Sequence, residues 1–208
     1  MPIDQLLLFV TASLLLILTP GQDLYLVMTR SLSYGTRAGV VTAAGISLGL
    51  LGHTLLVAVG LGAVIQASDT LFLVLKICGA LYLIWLGISA LRSSGKSISA
   101  EQGEPQGLGR LFINGALSNL INPKVAVFYI AFLPQFVPPQ ADHPTLLLLF
   151  LGALFALLTF IIKAPIGFSA GILTELFRRR PAVQNWMNRI SGTVLIMLGV
   201  RLLFAQKS

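Results

Sequence analysis

Leu14-Leu15-Leu16-Ile17-Leu18-Thr19-Pro20-Gly21-Gln22-Asp23-Leu24-Tyr25-Leu26-Val27 sets a proline, a glycine and a carboxylate in the middle of an apolar run. Proline removes a backbone donor and its ring clashes with the preceding turn, so a helix through this stretch kinks or unwinds at Pro20. The same construction returns at Asn119-Leu120-Ile121-Asn122-Pro123-Lys124, again inside an apolar run. Backbone groups freed inside lipid cannot stay unpaired, so such breaks belong against protein or a wet cavity. Two interrupted helices at matching places in two halves of a chain mark a transporter's central site.

Outward from these breaks, the whole chain reads as membrane protein. Of its 208 residues 56% are hydrophobic and 10% charged, with a mean hydropathy of +0.89, whereas soluble domains carry about 25% charged residues. The apolar runs are continuous and longer than about 18 residues, which points to helices rather than a β-barrel. The expected fold is all-α and integral to the membrane, with six spans near 5–34, 38–65, 70–91, 111–136, 145–171 and 189–206. They divide as two inverted three-helix repeats, 1–92 and 111–208, each opening on a helix broken at proline. The polar stretch 93–110, with Glu101, Glu104 and Pro105, is the expected cytoplasmic linker. The opening run is read as a first span rather than a removable signal peptide, since no basic stretch precedes it.

A formal charge of +7 suggests an acidic partner until its distribution is considered. Arg30 and Arg37, then Arg92, Lys96 and Arg110, then Arg178, Arg179, Arg180 and Arg189 flank the odd-numbered connections. The positive-inside rule puts those connections in the cytoplasm and both termini in the periplasm, and a nucleic-acid partner is not expected. With one cysteine, Cys78, and two histidines, neither a disulfide nor a metal centre is expected, and no cofactor is called for.

Four ionisable groups fall well inside the spans: Asp23, His53, Lys124 and Lys163. A charge at a helix centre costs about 2.5–3.5 kcal/mol on insertion scales, so each needs a reason. Asp23 and Lys124 follow the two breaks, and together they offer opposite charges for an amino-acid zwitterion, with a half-helix N-terminus to help hold a carboxylate. Asp23 read as a cap, and the two residues read as a structural ion pair, are the competing explanations. In the transport reading Lys124 is Asp23's partner, and a substrate entering between them shifts Asp23 protonation. Lys163, two residues before Pro165, reads as a snorkelling side chain. His53 reads first as a core histidine with one hydrogen-bond partner and second as a proton relay. Tyr25, Phe128 and Tyr129 follow the breaks and line a pocket or simply pack. Gly35/Gly39 and Gly45/Gly49 have the spacing that lets helices approach closely.

The ordered motifs resemble the LysE/RhtB superfamily of amino-acid exporters along nearly the whole chain. They are Pro20-Gly21-Gln22-Asp23, the glycine-rich second span from Gly39 to Gly49, Gly79 to Gly87 in the third, and Asn119 to Lys124 followed by Phe132-Leu133-Pro134-Gln135-Phe136. Gln22 departs from the family pattern, which has a second proline there, and Lys163 is not part of that pattern. The resemblance implies a multi-pass inner-membrane protein that exports amino acids or close derivatives, driven by the proton gradient. Its site would draw on Pro20, Gly21, Gln22, Asp23, Tyr25, His53, Asn119, Asn122, Pro123, Lys124 and Tyr129. Its partners would be an amino acid, protons and the lipid bilayer, with a homodimer left open. The alternatives are an exporter of another small cargo such as a metal cation, for which one Asp and one His make a poor cage, and a membrane-embedded enzyme, for which no nucleophile–base pair stands out.

Overall fold

A computed structural model describes residues 3–67, 69–93, 106–138 and 141–204. Every regular element among them is helical. In chain order they are α1 (Ile3–Ile17), α2 (Gln22–Tyr34), α3 (Thr36–Ala67), α4 (Asp69–Arg92), α5 (Leu108–Leu120) and α6 (Pro123–Phe132). A 3-10 turn (Leu133–Phe136) follows, and α7 (Pro144–Phe168), α8 (Ala170–Arg179) and α9 (Pro181–Phe204) complete the chain.

Both expected breaks are present. α1 and α2 meet at 54° around residues 18–21, and α5 meets the α6 segment at 57° around residues 121–122. Local hydrogen bonds take up the backbone that each proline frees. Thr19 Oγ1 donates to the Leu15 carbonyl at 3.0 Å, and the Asn122 side chain caps α6 by accepting from the Lys124 N–H at 3.0 Å. Pro123 stands in the first turn of α6, where a missing donor costs nothing. The Asn119 carbonyl at the end of α5 accepts from the Asn122 N–H at 3.0 Å.

Among the described residues, three helical stretches are each long and apolar enough to cross a membrane: Thr36–Gly60, Pro144–Phe168 and Ala182–Phe204. Counting each bent pair as one span raises the number to five. α4 is of similar length, 24 residues, but stands outside that set, with Asp69, Lys76 and Arg92 along it. Of the expected linker, residues 94–105 lie outside the described residues, and α5 begins inside the remainder, at Leu108. α8 is not among the expected spans. A loop was expected before a span starting near 189, yet Ser169 only interrupts the chain and a ten-residue amphipathic helix follows it. Its apolar residues Leu173 and Phe177 pack beside Leu24 and Met28 of α2.

Glycines set the helix spacing. A Cβ on Gly45 would sit 2.0 Å from the Phe112 carbonyl oxygen, and one on Gly115 would sit 2.6 Å from that of Thr42, so α3 and α5 touch backbone to backbone. Gly39 meets Gly167 in the same way between α3 and α7, and Gly87 meets Gly192 between α4 and α9. Gly35 does something else. It turns α2 into α3 with φ 89°, a left-handed conformation that glycine adopts without strain. The core runs through Phe9, Phe128, Phe132, Phe136 and Phe155; Phe128 stacks on Phe132 with centroids 4.5 Å apart and lies tilted against Phe155 at 5.1 Å. Leu55, Leu56, Val59, Ile121, Phe150 and Leu157 stand exposed on the outer surface, as lipid-facing residues do.

Candidate functional site

The two breaks line one cavity. Thr19, Gly21, Gln22 and Asp23 come from the first, Asn122 and Lys124 from the second, and Leu50, Phe128, Phe155, Thr159 and Lys163 are also on the wall, around about 520 Å³ of empty space with its open mouth included. On one side the packed phenylalanine rings run from Phe128 through Phe132 to Phe136, away from the break. On the other side a wider vestibule, about 1450 Å³ with its open mouth, is lined by Tyr25, Thr29, Ser89, Ser93, Ser118 and Asn188. Gly21, Gln22 and Lys124 line both spaces and so form the threshold between them. Gln22 bridges the broken helices there, its Nε2 donating to Ser118 Oγ at 3.1 Å.

Asp23 lies in the first turn of α2, whose N-cap is Gly21 and carries no side-chain cap bond. Its carboxylate is held instead by other elements. Asn119 Nδ2 donates to Oδ2 at 2.9 Å, and the Lys163 ammonium is 3.6 Å from the same oxygen. The other oxygen, Oδ1, is buried without a protein partner, as is Asn119 Oδ1. A buried acceptor left open in this way is costly unless a ligand or water fills it. Lys124 Nζ rests against the first break, 3.4 Å from where a Cβ on Gly21 would stand, and it interacts electrostatically with both Asp23 and Lys163.

Lys163 is the residue the sequence reading misplaced. The sequence expects it to snorkel, but the residue is 5% exposed and lines the cavity. Of the two lysines, Lys163 rather than Lys124 makes the ion pair with Asp23. The available signal was its spacing: Phe155, Thr159 and Lys163 follow at four-residue intervals, one face of one helix. His53 is buried, with Nε2 3.1 Å from the Asn119 carbonyl, which can only accept. Tyr129 is fully buried in the core beside His53 and stands outside the cavity lining, while its neighbour Phe128 is part of it. Tyr25 and Pro20 belong to the vestibule, where Tyr25 accepts a hydrogen bond from Gln184 at 2.8 Å.

This geometry can be set beside known proteins. The sequence model of the LysE type translocators matches residues 14–206. The chain belongs to that family. It is 33% identical to the homoserine/homoserine lactone efflux protein of Salmonella typhi, over 95% of both chains. With the protein of that name from Salmonella typhimurium it shares 42% identity over 132 residues, 64% of each chain. An uncharacterized membrane protein of Vibrio cholerae is 31% identical over 99% of this chain and all of its own length. No solved structure matches the chain. As a LysE type translocator it is a membrane transport protein, and the cavity between its two helix breaks is the place to seek its cargo.

Proposed function

We propose that this translocator exports small amino acids of the homoserine type across the inner membrane, against an inward flow of protons. The observation that carries the reading is Asp23, whose Oδ1 is buried and unpaired, on the wall of a cavity that also holds Lys124. An α-ammonium fits the first and an α-carboxylate the second. The N-terminal ends of α2 and α6 converge there too, adding positive potential for the carboxylate. Phe128, Phe155 and Leu50 offer apolar contact to a short side chain, and Thr159 offers a hydroxyl. The efflux proteins of Salmonella, alike along most of their length, support the same cargo.

Transport in this reading is alternating access between six spans: α1–α2, α3, α4, α5–α6, α7 and α9. The halves are related as inverted repeats. Near-equal bends at the two breaks support this, as do the close glycine contacts of α3 with α7 and of α4 with α9, the corresponding helices of the two halves. The vestibule reaches Ser93 and Thr29, towards the connections flanked by Arg30, Arg37, Arg92 and Arg110. That side is cytoplasmic by the positive-inside rule, so this conformation is the inward-open one and both termini are periplasmic. The test is counterflow. Vesicles loaded with unlabelled homoserine and containing the purified protein should take up labelled homoserine. Folded protein that performs no counterflow with homoserine, threonine or homoserine lactone would sink the reading.

A further inference from the structure

We propose that Lys163 is the proton carrier of the cycle: a substrate ammonium arriving at Asp23 drives the proton off Lys163. This rests on the export reading above and names the residue that couples the two flows. Among the described residues Asp23 is the one carboxylate lining the cavity, and two lysines line it too, Lys124 from α6 and Lys163 from α7. His53 of α3, buried outside the cavity lining, is engaged with the Asn119 carbonyl. Before substrate enters, Asp23 Oδ2 answers Lys163 at 3.6 Å while Oδ1 stays unpaired. The unpaired oxygen is covered in this conformation, so a shift of the groups over it, rather than displacement of Lys163 from Oδ2, would seat a substrate ammonium. What this oxygen cannot supply is charge.

With substrate bound, three ammonium groups share the space with Asp23 and the substrate carboxylate. Lys124, at the threshold, is matched by that carboxylate. Lys163 and the substrate ammonium are then like charges on the two oxygens of a single carboxylate, beside the buried Lys163, Thr159 and Phe155, where water screens them weakly. An ammonium whose counter-charge has been claimed is relieved by giving up its proton. Lys163 is the group so placed, because Phe155 and Thr159 flank it on α7 and Asp23 is its ion-pair partner. The step balances: Lys163 ammonium and substrate ammonium become Lys163 amine, Asp23-bound substrate ammonium and one proton released past Lys124 into the vestibule. On the far side, loss of substrate frees Asp23 and Lys163 takes up a proton. A lysine can work in this way and an arginine cannot, since guanidinium does not deprotonate in proteins.

The test measures protons on binding. Purified wild-type protein in weakly buffered detergent with a pH dye should release about one proton per homoserine bound, the linkage expected of one displaced proton. Homoserine lactone, which keeps the ammonium and lacks the carboxylate, should release the same. 4-Hydroxybutanoate, with no ammonium, should release none. Lys163→Arg preserves the ion pair with Asp23, so it would satisfy a purely structural role. Here it should abolish proton release, weaken homoserine binding tenfold or more and remove accumulation driven by a pH gradient. Homoserine binding to wild type without proton release overturns the assignment, as does wild-type release from folded Lys163→Arg. The ligand series decides on wild type alone, should the variant not fold. Wild-type counterflow tests the export reading separately, so a transporter that exchanges homoserine but releases no proton loses this inference and keeps that reading.

Discussion

Asn119 holds Asp23 across 96 residues of sequence, its amide donating at 2.9 Å to one carboxylate oxygen. The bond ties the helix that follows the first break to the helix that precedes the second. Asn119 is itself fully buried and seated against Gly49, where a Cβ would come within 2.9 Å of its side chain. One glycine, one amide and one carboxylate from three helices therefore fix where the substrate ammonium would dock.

Asp23→Asn should abolish gradient-driven efflux; α2 takes no side-chain cap from this residue, but the buried Lys163 loses its counter-charge, so some stability is lost as well. A hydrogen bond to a charged group is worth roughly 1.5–3 kcal/mol, so homoserine affinity should fall about tenfold to a hundredfold. Titration of homoserine into purified protein checks this. Folded Asp23→Asn that exports at the wild-type rate would strip Asp23 of its role.

Lys124→Met should separate two cargoes. Homoserine should lose affinity by about tenfold or more through its carboxylate, whereas homoserine lactone, which carries none, should lose little. Competition binding with the two ligands reads the ratio. Equal losses would mean that Lys124 acts on Asp23 rather than on substrate.

Gly45→Ala should destabilise the protein by about 1–3 kcal/mol, the usual cost of overpacking, because the new methyl meets the Phe112 backbone. Gly60→Ala, on the same helix with nothing within 4 Å, is the control and should be neutral or slightly stabilising. Thermal unfolding in detergent compares them. Equal melting temperatures would contradict the tight α3–α5 seam.

Nine Lys and Arg residues flank the odd-numbered connections, so a C-terminal reporter that fluoresces only in the cytoplasm should stay dark. A bright signal from an inserted fusion would reverse the side assigned to the vestibule.

The breaks were legible in the sequence because proline and a charge inside an apolar run are both expensive, and Pro20-Gly21-Gln22-Asp23 and Asn122-Pro123-Lys124 left no cheaper explanation. Lys163 was not legible in the same way. Close to Pro165 and the end of α7, it matched the pattern of a lysine reaching for the interface. The packing of α7 on α3 and α2, with the ion pair to Asp23, holds it inward. Tyr129 followed a break as closely as Phe128 did, but helix rotation puts one in the core and the other on the cavity wall. α8 escaped because its charged, amphipathic sequence resembles a basic loop until its apolar face finds Leu24 and Met28.

One carboxylate facing two lysines also decides how the cycle answers to voltage. If Lys163 gives up its proton when substrate binds, the site loaded with a zwitterion crosses carrying no net charge. The empty site returns with Asp23 negative and both lysines positive, one charge inward. A membrane potential, negative inside, then drives the return step, by about 2.3 kcal/mol per 100 mV. A lactone adds its own positive charge to the outward step, and the two crossings cancel. The same protein would thus be electrogenic with homoserine and electroneutral with its lactone, so that a change of cargo alone switches the export from voltage-driven to driven by the pH gradient.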